Sequence, residues 1–191
     1  MIKLYREMIA GSWHYKHLND TEQKIGKLIS VINDLIVNYS DYKGSEADAN
    51  LIMNQIWLGN LNTAQDFNFV TSKQIKAIIN ATTDVPNKFD FIDYTNYYIK
   101  DEDACKENLM YVMECGANII NSSVIDQKPI LVHCKRGHHR SASIIAFYLM
   151  KYHNMSLIYA IYLIKTARPT TFRRITCMLQ ELILYEINRT N

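Results

Sequence analysis

The sequence predicts an α/β fold with an N-terminal helical extension, and three observations predict it. Short β-branched apolar runs are mixed along the chain with stretches of helical period. One such run, Ile130-Leu131-Val132-His133, passes through the loop Cys134-Lys135-Arg136-Gly137-His138-His139-Arg140 into a helical stretch opening at Ser141. Well ahead of it, residues 21–39 place Ile25, Leu28, Ile29, Ile32, Leu35 and Ile36 on one helical face.

In chain order, residues 1–20 carry Trp13 and Tyr15 without clear period and read as a short helix or an ordered arm. The helix over 21–39, with Thr21 as its expected N-cap, is expected to pack on its own domain; the sharper alternative is a helix that forms a homodimer or binds a partner. Residues 38–50, with Gly44, Ser45 and several Asp, read as a loop. Strands are expected around 55–60, 75–82 and 93–99, with a short helix over 64–69 and a break at Val85-Pro86-Asn87. The acidic stretch Lys100-Asp101-Glu102-Asp103 follows, then a helical stripe of Leu109, Val112, Met113, Gly116, Ile119 and Ile120. Beyond the 130–140 unit come helices over 141–153, 156–167 and 175–188. The second has Ser156 as N-cap and ends before Arg168-Pro169, because a residue preceding proline is pushed out of the α region.

Composition narrows the function classes. The 191 residues are 48% hydrophobic and 21% charged, as expected of one domain with a sizeable core. A net charge of +2 gives no reason to expect nucleic acid, and no run approaches a membrane span. The opening residues lack the apolar core of a secretory leader, Ile2 stands where N-myristoylation needs glycine, and the C-terminus carries no prenylation box. Cys105, Cys115, Cys134 and Cys177 are too few and too scattered for a disulfide framework or a zinc site. Richness in Ile, Asn, Lys and Tyr fits an AT-rich genome such as that of a large DNA virus. A reducing compartment suits a thiolate, so the expected location is the cytoplasm, or a host's cytoplasm if the source is viral.

The loop of residues 135–140 carries the chemistry. A strand, a tight loop and a helix N-terminus make an anion site, where inward amide groups add to the helix dipole. The same field stabilises a thiolate at Cys134. Arg140 offers a planar fork for two phosphoryl oxygens, and Gly137 permits a turn that a side chain hinders. Ser141 is placed to cap the helix and to present its hydroxyl to the sulfur. A buried structural cysteine is the commoner fate of a lone Cys, but it leaves His133, Gly137, Arg140 and Ser141 unexplained.

His133-Cys134, five residues, then Arg140-Ser141, with Gly137 inside, resembles the signature of the protein tyrosine phosphatase superfamily. The flanks are similar to its dual-specificity branch, notably Gln55-Ile56-Trp57-Leu58-Gly59-Asn60 and the 75–87 stretch. The resemblance covers about residues 51–190. It implies a small mixed central sheet flanked by helices, with a catalytic domain over 51–191 and an extension over 1–50. It implies Cys134 as nucleophile, Arg140 as phosphate ligand, Ser141 as an aid to sulfur departure and His133 as a support of the thiolate. Lys135, Arg136, Gly137, His138 and His139 become substrate-binding loop positions. In this branch the proton donor commonly lies about thirty residues before the Cys, on a loop facing the site. Asp103, 31 residues before Cys134, is the expected donor, with Asp101 second. Neither a cofactor nor a metal is implied, and the expected partner is a phosphoprotein.

Two departures stand out. His139 precedes Arg140 where Ser or Asn is usual, and His138 and His139 are expected as partly exposed rings. Arg173-Arg174 replaces the Pro-Asn expected after Arg168-Pro169, which puts the usual support of the phosphate loop from that side in doubt and adds cations. Competing readings are a phosphatase for an RNA 5′-triphosphate or a phosphoinositide, favoured by Lys135 and Arg136, and an inactive phosphoprotein-binding module.

Overall fold

The chain forms α1 (Asp20–Asn38), β1 (Ala49–Met53), β2 (Ile56–Gly59), α2 (Leu61–Gln65), α3 (Phe67–Ser72), β3 (Ala77–Asn80), β4 (Asp93–Asn96), α4 (Leu109–Ile125), β5 (Ile130–His133), α5 (Arg140–Tyr152), α6 (Leu157–Ala167) and α7 (Cys177–Thr190). These come from a computed structural model, which describes residues 19–39, 47–100 and 108–190. The strands form one mixed sheet in the order β1-β2-β5-β3-β4. β1 runs antiparallel to β2, and the other three pairs are parallel. The α/β class and the mixed sheet expected from the sequence are both present.

Period-two alternation sorts the strand residues into two layers. Ile56, Leu58, Ala77, Ile79, Ile130 and Val132 face the larger core, shared with α1, α4, α5, α6 and α7. Ile78 and Leu131 face the opposite side, where Ala64, Val70, Ile75, Phe89 and Ile92 cover them. The central helix α5 is buried at every position from Arg140 to Met150, so its polar residues there need specific partners.

The register brings three strand ends level. His133 of β5 lies opposite Gly59 of β2 and Asn80 of β3, so the parallel strands terminate together at one edge. Ligand sites in parallel sheets form outside such carboxyl ends.

α1 starts two residues earlier than an N-cap at Thr21 predicts: its N-cap is Asn19. Asn19 Oδ1 accepts from the Glu22 amide at 2.9 Å while Glu22 Oε2 accepts from the Asn19 amide at 3.0 Å. That reciprocal box satisfies two orphan donors at once, which Thr21 does not do. Buried Ile25, Ile29 and Ile32 pack α1 onto its own domain, against α6 and α7. The helix expected over 64–69 is two short ones, α2 and α3, broken at Asp66, whose carboxylate caps the second. Among the described residues no helix is long and apolar enough to cross a membrane.

Candidate active site

Residues 134–139 leave the end of β5 and enter α5 at Arg140. The carbonyl of His133, just before the loop, and those of several loop residues are engaged, that of His139 by the first turn of α5 itself. His133 O accepts from the Ala81 amide (2.9 Å), Lys135 O from Leu61 (3.3 Å), His138 O from Phe172 (2.9 Å) and His139 O from Ser143 (2.8 Å). Arg168 takes two more, with Nη2 to Arg136 O and Nε to Gly137 O, both at 3.1 Å. Peptide geometry sets each N–H opposite its carbonyl, so carbonyls engaged outward leave amides for the concave side. Gly137 sits at φ +70°, and a Cβ there would lie 2.6 Å from Gly59 O. The turn therefore needs glycine on two counts, handedness and close backbone approach.

The sulfur of Cys134 lies at the floor of this loop, 3% exposed. Ser141 Oγ donates to it at 3.3 Å. Burial pushes the thiol up, but the Arg140 charge, the Ser141 hydroxyl and the backbone amides of Ser141 and Gly137 outweigh it, and the net shift is downward. The guanidinium of Arg140, 7% exposed, is oriented by a bond from Nη1 to Ile99 O at 2.8 Å. His133 is almost wholly buried. Burial pushes its imidazole from 6.5 down to about 4 against a backbone hydrogen bond at Cys134, and the Arg140 charge adds to the fall. It is a neutral ring at pH 7.

This neutral, buried His133 has a stability consequence. The unfolded chain takes up a proton near pH 6.5 that the folded one refuses until about pH 4. Stability contributed by this site is therefore full above pH 6.5 and lost on acidification to pH 4, by about 3 kcal/mol in all. Melting temperatures measured across that window are expected to fall more steeply for wild type than for His133→Gln. Parallel curves would mean the ring titrates freely in the fold.

A cleft of about 430 Å³ opens over the sulfur, lined by the loop side chains together with Arg173 and Arg174. At its edge the Asp84 carboxylate pairs with Lys135 Nζ at 3.0 Å, which holds that carboxyl below its usual range. Asn80 shapes the turn that carries Asp84, accepting from the Thr82 amide and hydroxyl and donating to Val85 O. Among the described residues no His, Cys, Asp and Glu group is arranged to hold a metal ion.

Comparison with known proteins agrees with this geometry. The family described as "Dual specificity phosphatase, catalytic domain" matches residues 56–188. The chain belongs to this family. Human dual specificity protein phosphatase 21 is 35% identical over 141 residues, covering 73% of this chain and 73% of that protein. Mouse dual specificity protein phosphatase 18 is 32% identical over 136 residues, covering 71% of each. In fold, the crystal structure of human DUSP28 superposes with a TM-score of 0.68 at 18% identity, covering 76% of this chain and 97% of that one. The structure of OH1 from the Orf virus, a tyrosine phosphatase that displays triple substrate specificity, gives a TM-score of 0.62 at 14% identity, covering 82% of this chain and 96% of that one. The chain is a cysteine-dependent dual-specificity protein phosphatase, and these relatives favour neither an RNA nor a lipid phosphate.

The phosphatase loop differs from the sequence expectation in three respects. Ser141 does not cap α5: the N-cap is His139, with no side-chain cap bond, because the Ser141 hydroxyl is turned to the sulfur. His138 is buried rather than partly exposed; only the His139 ring is half-buried. Lys135 and Arg136 are exposed at the rim. Support from the 168–174 side, doubted for want of Pro-Asn, is supplied by Arg168 and the Phe172 amide. Arg168 was legible only as a landmark before proline; its role needs the fold, since its partners lie more than thirty residues away. The expected donor Asp103 and its alternative Asp101 lie outside the described residues.

Proposed function

We propose that the phosphatase hydrolyses phosphotyrosine and phosphoserine/threonine in proteins through a cysteinyl phosphate on Cys134. The observation that carries it is the sulfur of Cys134 beneath inward amides, with Ser141 Oγ at 3.3 Å and Arg140 fixed on the same loop. In the first step the thiolate attacks phosphorus in line, the P–O bond to the substrate breaks, and the leaving oxygen takes a proton from a carboxylic acid. In the second, the resulting carboxylate takes a proton from water as it attacks phosphorus. The S–P bond breaks, inorganic phosphate leaves and Ser141 stabilises the departing sulfur. Arg140 and the loop amides hold the equatorial oxygens through both steps, which is electrostatic preorganisation.

The acid is proposed from the acidic stretch after Lys100. Ile99, 1% exposed, has its carbonyl on Arg140, so this stretch leaves from the edge of the site. At ~3.3–3.6 Å per residue, two residues reach about 7 Å and four about 14 Å, so Asp101 and Asp103 are both within range. Spacing favours Asp103; Asp101 has the shorter tether. Asp103→Ala is expected to lower kcat by roughly 10²–10⁴ and Asp101→Ala to leave it nearly normal. The reverse pattern moves the role to Asp101, and two near-normal variants would take the acid off this loop altogether.

The 51–191 catalytic domain, with 1–50 as an extension docked by α1, fits the packing of Ile25, Ile29 and Ile32. A homodimer through α1 would have to use its outer face, where Val31 and Val37 are exposed, and a one-chain mass from light scattering would reject it. A cytoplasmic location suits the thiolate.

A further inference from the structure

We propose that Tyr39 and Lys165 are positioning residues for the phosphatase reaction: the end of α1 closes over a buried ammonium that holds the 168–172 segment against the phosphate loop, and so ties the docking of the N-terminal extension to the geometry around Cys134. The inference rests on the phosphatase reading and gives the extension a part in it.

The starting observation is a buried charge with no counter-charge. Lys165, on α6, is 1% exposed. Among the described residues no carboxylate pairs with it. A buried ammonium is costly unless its protons are satisfied. Lys165 Nζ donates to Thr171 O at 2.6 Å and to Pro169 O at 3.2 Å. The ring of Tyr39, the residue that ends α1, covers the same nitrogen, with its centroid 5.2 Å away. The Tyr39 hydroxyl lies 3.5 Å from Thr166 Oγ1, one residue along α6. A ring face attracts an ammonium most strongly where water is shut out, and Tyr39 is itself half-buried. Burial and the Arg173 charge push the Lys165 amine down to about 8, so the ammonium leans on these few partners to stay charged.

The second observation is where the two carbonyls sit. They belong to the segment whose other side holds the phosphate loop, through Arg168 on Arg136 O and Gly137 O and the Phe172 amide on His138 O. Lys165 therefore fastens from behind a segment that grips three loop carbonyls in front. The direction of a carbonyl fixes the amide across its peptide plane, and the Gly137 amide is among those that lower the thiol of Cys134. A shift of the segment thus reaches the sulfur although neither Tyr39 nor Lys165 lines the cleft. The extension meets the segment at a second point as well. Arg168 Nη1 donates to Ala47 O at 2.6 Å, just ahead of β1, and to Asn50 Oδ1 at 2.8 Å. With Ile25, Ile29 and Ile32 docking α1 against α6 and α7, the extension touches the loop support rather than only the outer core.

The test uses the full chain and two readouts taken well below the melting midpoint: kcat on a small aryl phosphate, and the pH midpoint for alkylation of Cys134 by iodoacetate. Tyr39→Leu keeps apolar cover but loses the ring face. It is expected to lower kcat by roughly fivefold and to raise the alkylation midpoint by about 0.5 pH. Tyr39→Phe should stay near wild type on both, because the ring and not the hydroxyl meets the ammonium. Lys165→Met should lower kcat by about tenfold or more, and Tyr39→Leu added to it should cost nothing further. Should Lys165→Met not fold, the Tyr39 pair decides the question by itself. Ile78→Val, on the opposite face of the sheet, is the control: it should lower the melting temperature while leaving the alkylation midpoint in place. An unmoved Tyr39→Leu, a Tyr39→Phe as damaged as Tyr39→Leu, or an Ile78→Val midpoint shifted equally would overturn the proposal. No turnover of the aryl phosphate by wild type would sink the phosphatase reading instead, and the alkylation midpoints would still report whether Tyr39 reaches the sulfur.

Discussion

Cys134→Ser is expected to lower turnover of a phosphotyrosyl peptide by at least ~10⁴-fold while the chain stays folded. A serine hydroxyl fits the same space, and its neighbour Ser141 Oγ remains in place. What is lost is an anion. The field that lowers the thiol, from Arg140 and the amides of Ser141 and Gly137, is far too weak to ionise an alcohol near neutral pH. The same field predicts a pH signature in wild type. Since the sulfur's proton is released more readily than from a free thiol, alkylation by iodoacetate should persist well below ~8.5 and follow the thiolate. Serine that retained activity, or a thiol that titrated as in free cysteine, would falsify the nucleophile assignment.

Arg168→Met should be the most damaging change away from the reacting atoms. Arg168 is fully buried and donates to Gly137 O, Arg136 O, Ala47 O and Asn50 Oδ1. Methionine fills much of the volume but leaves three main-chain carbonyls without these donors. Unsatisfied buried acceptors and lost charge-assisted bonds together should cost about 3–5 kcal/mol of stability. Two of those carbonyls belong to the phosphate loop, so the amides behind them lose their fixed direction. A misplacement of this kind should slow the chemical step by roughly 10² even where the protein is folded. Arg168→Lys should recover little, because one ammonium cannot span the loop on one side and Ala47 with Asn50 on the other. Thermal melts give the first effect, and kcat well below the melting midpoint gives the second. A folded Arg168→Met protein with normal kcat would show that the loop keeps its shape unaided.

The two variants differ in what was legible beforehand. Cys134, Arg140 and Gly137 are read from local spacing, because a strand, a tight loop and a helix start dictate one another over a dozen residues. The strand and helix order was legible for the same reason, in the apolar periods around Ile56, Ile78, Ile130 and the α1 isoleucines. Local competition spoiled the details. Asn19 beat Thr21 as a cap because Glu22 could return the hydrogen bond. Ser141 looked like a cap until the sulfur claimed its hydroxyl.

The amino-acid order by itself set out the proposed reaction centre: a cysteine and an arginine bracketing a tight loop between a strand and a helix. Only the tertiary structure decided what holds that loop open. The carbonyls of Arg136, Gly137 and His138 are satisfied by Arg168 and Phe172, residues about thirty positions downstream. Hydrogen bonds of that separation leave no period in the sequence. They arise when parallel strand ends and a distant turn are packed together, and that is why the cations Arg173 and Arg174, visible in the sequence, were placed on the cleft only there.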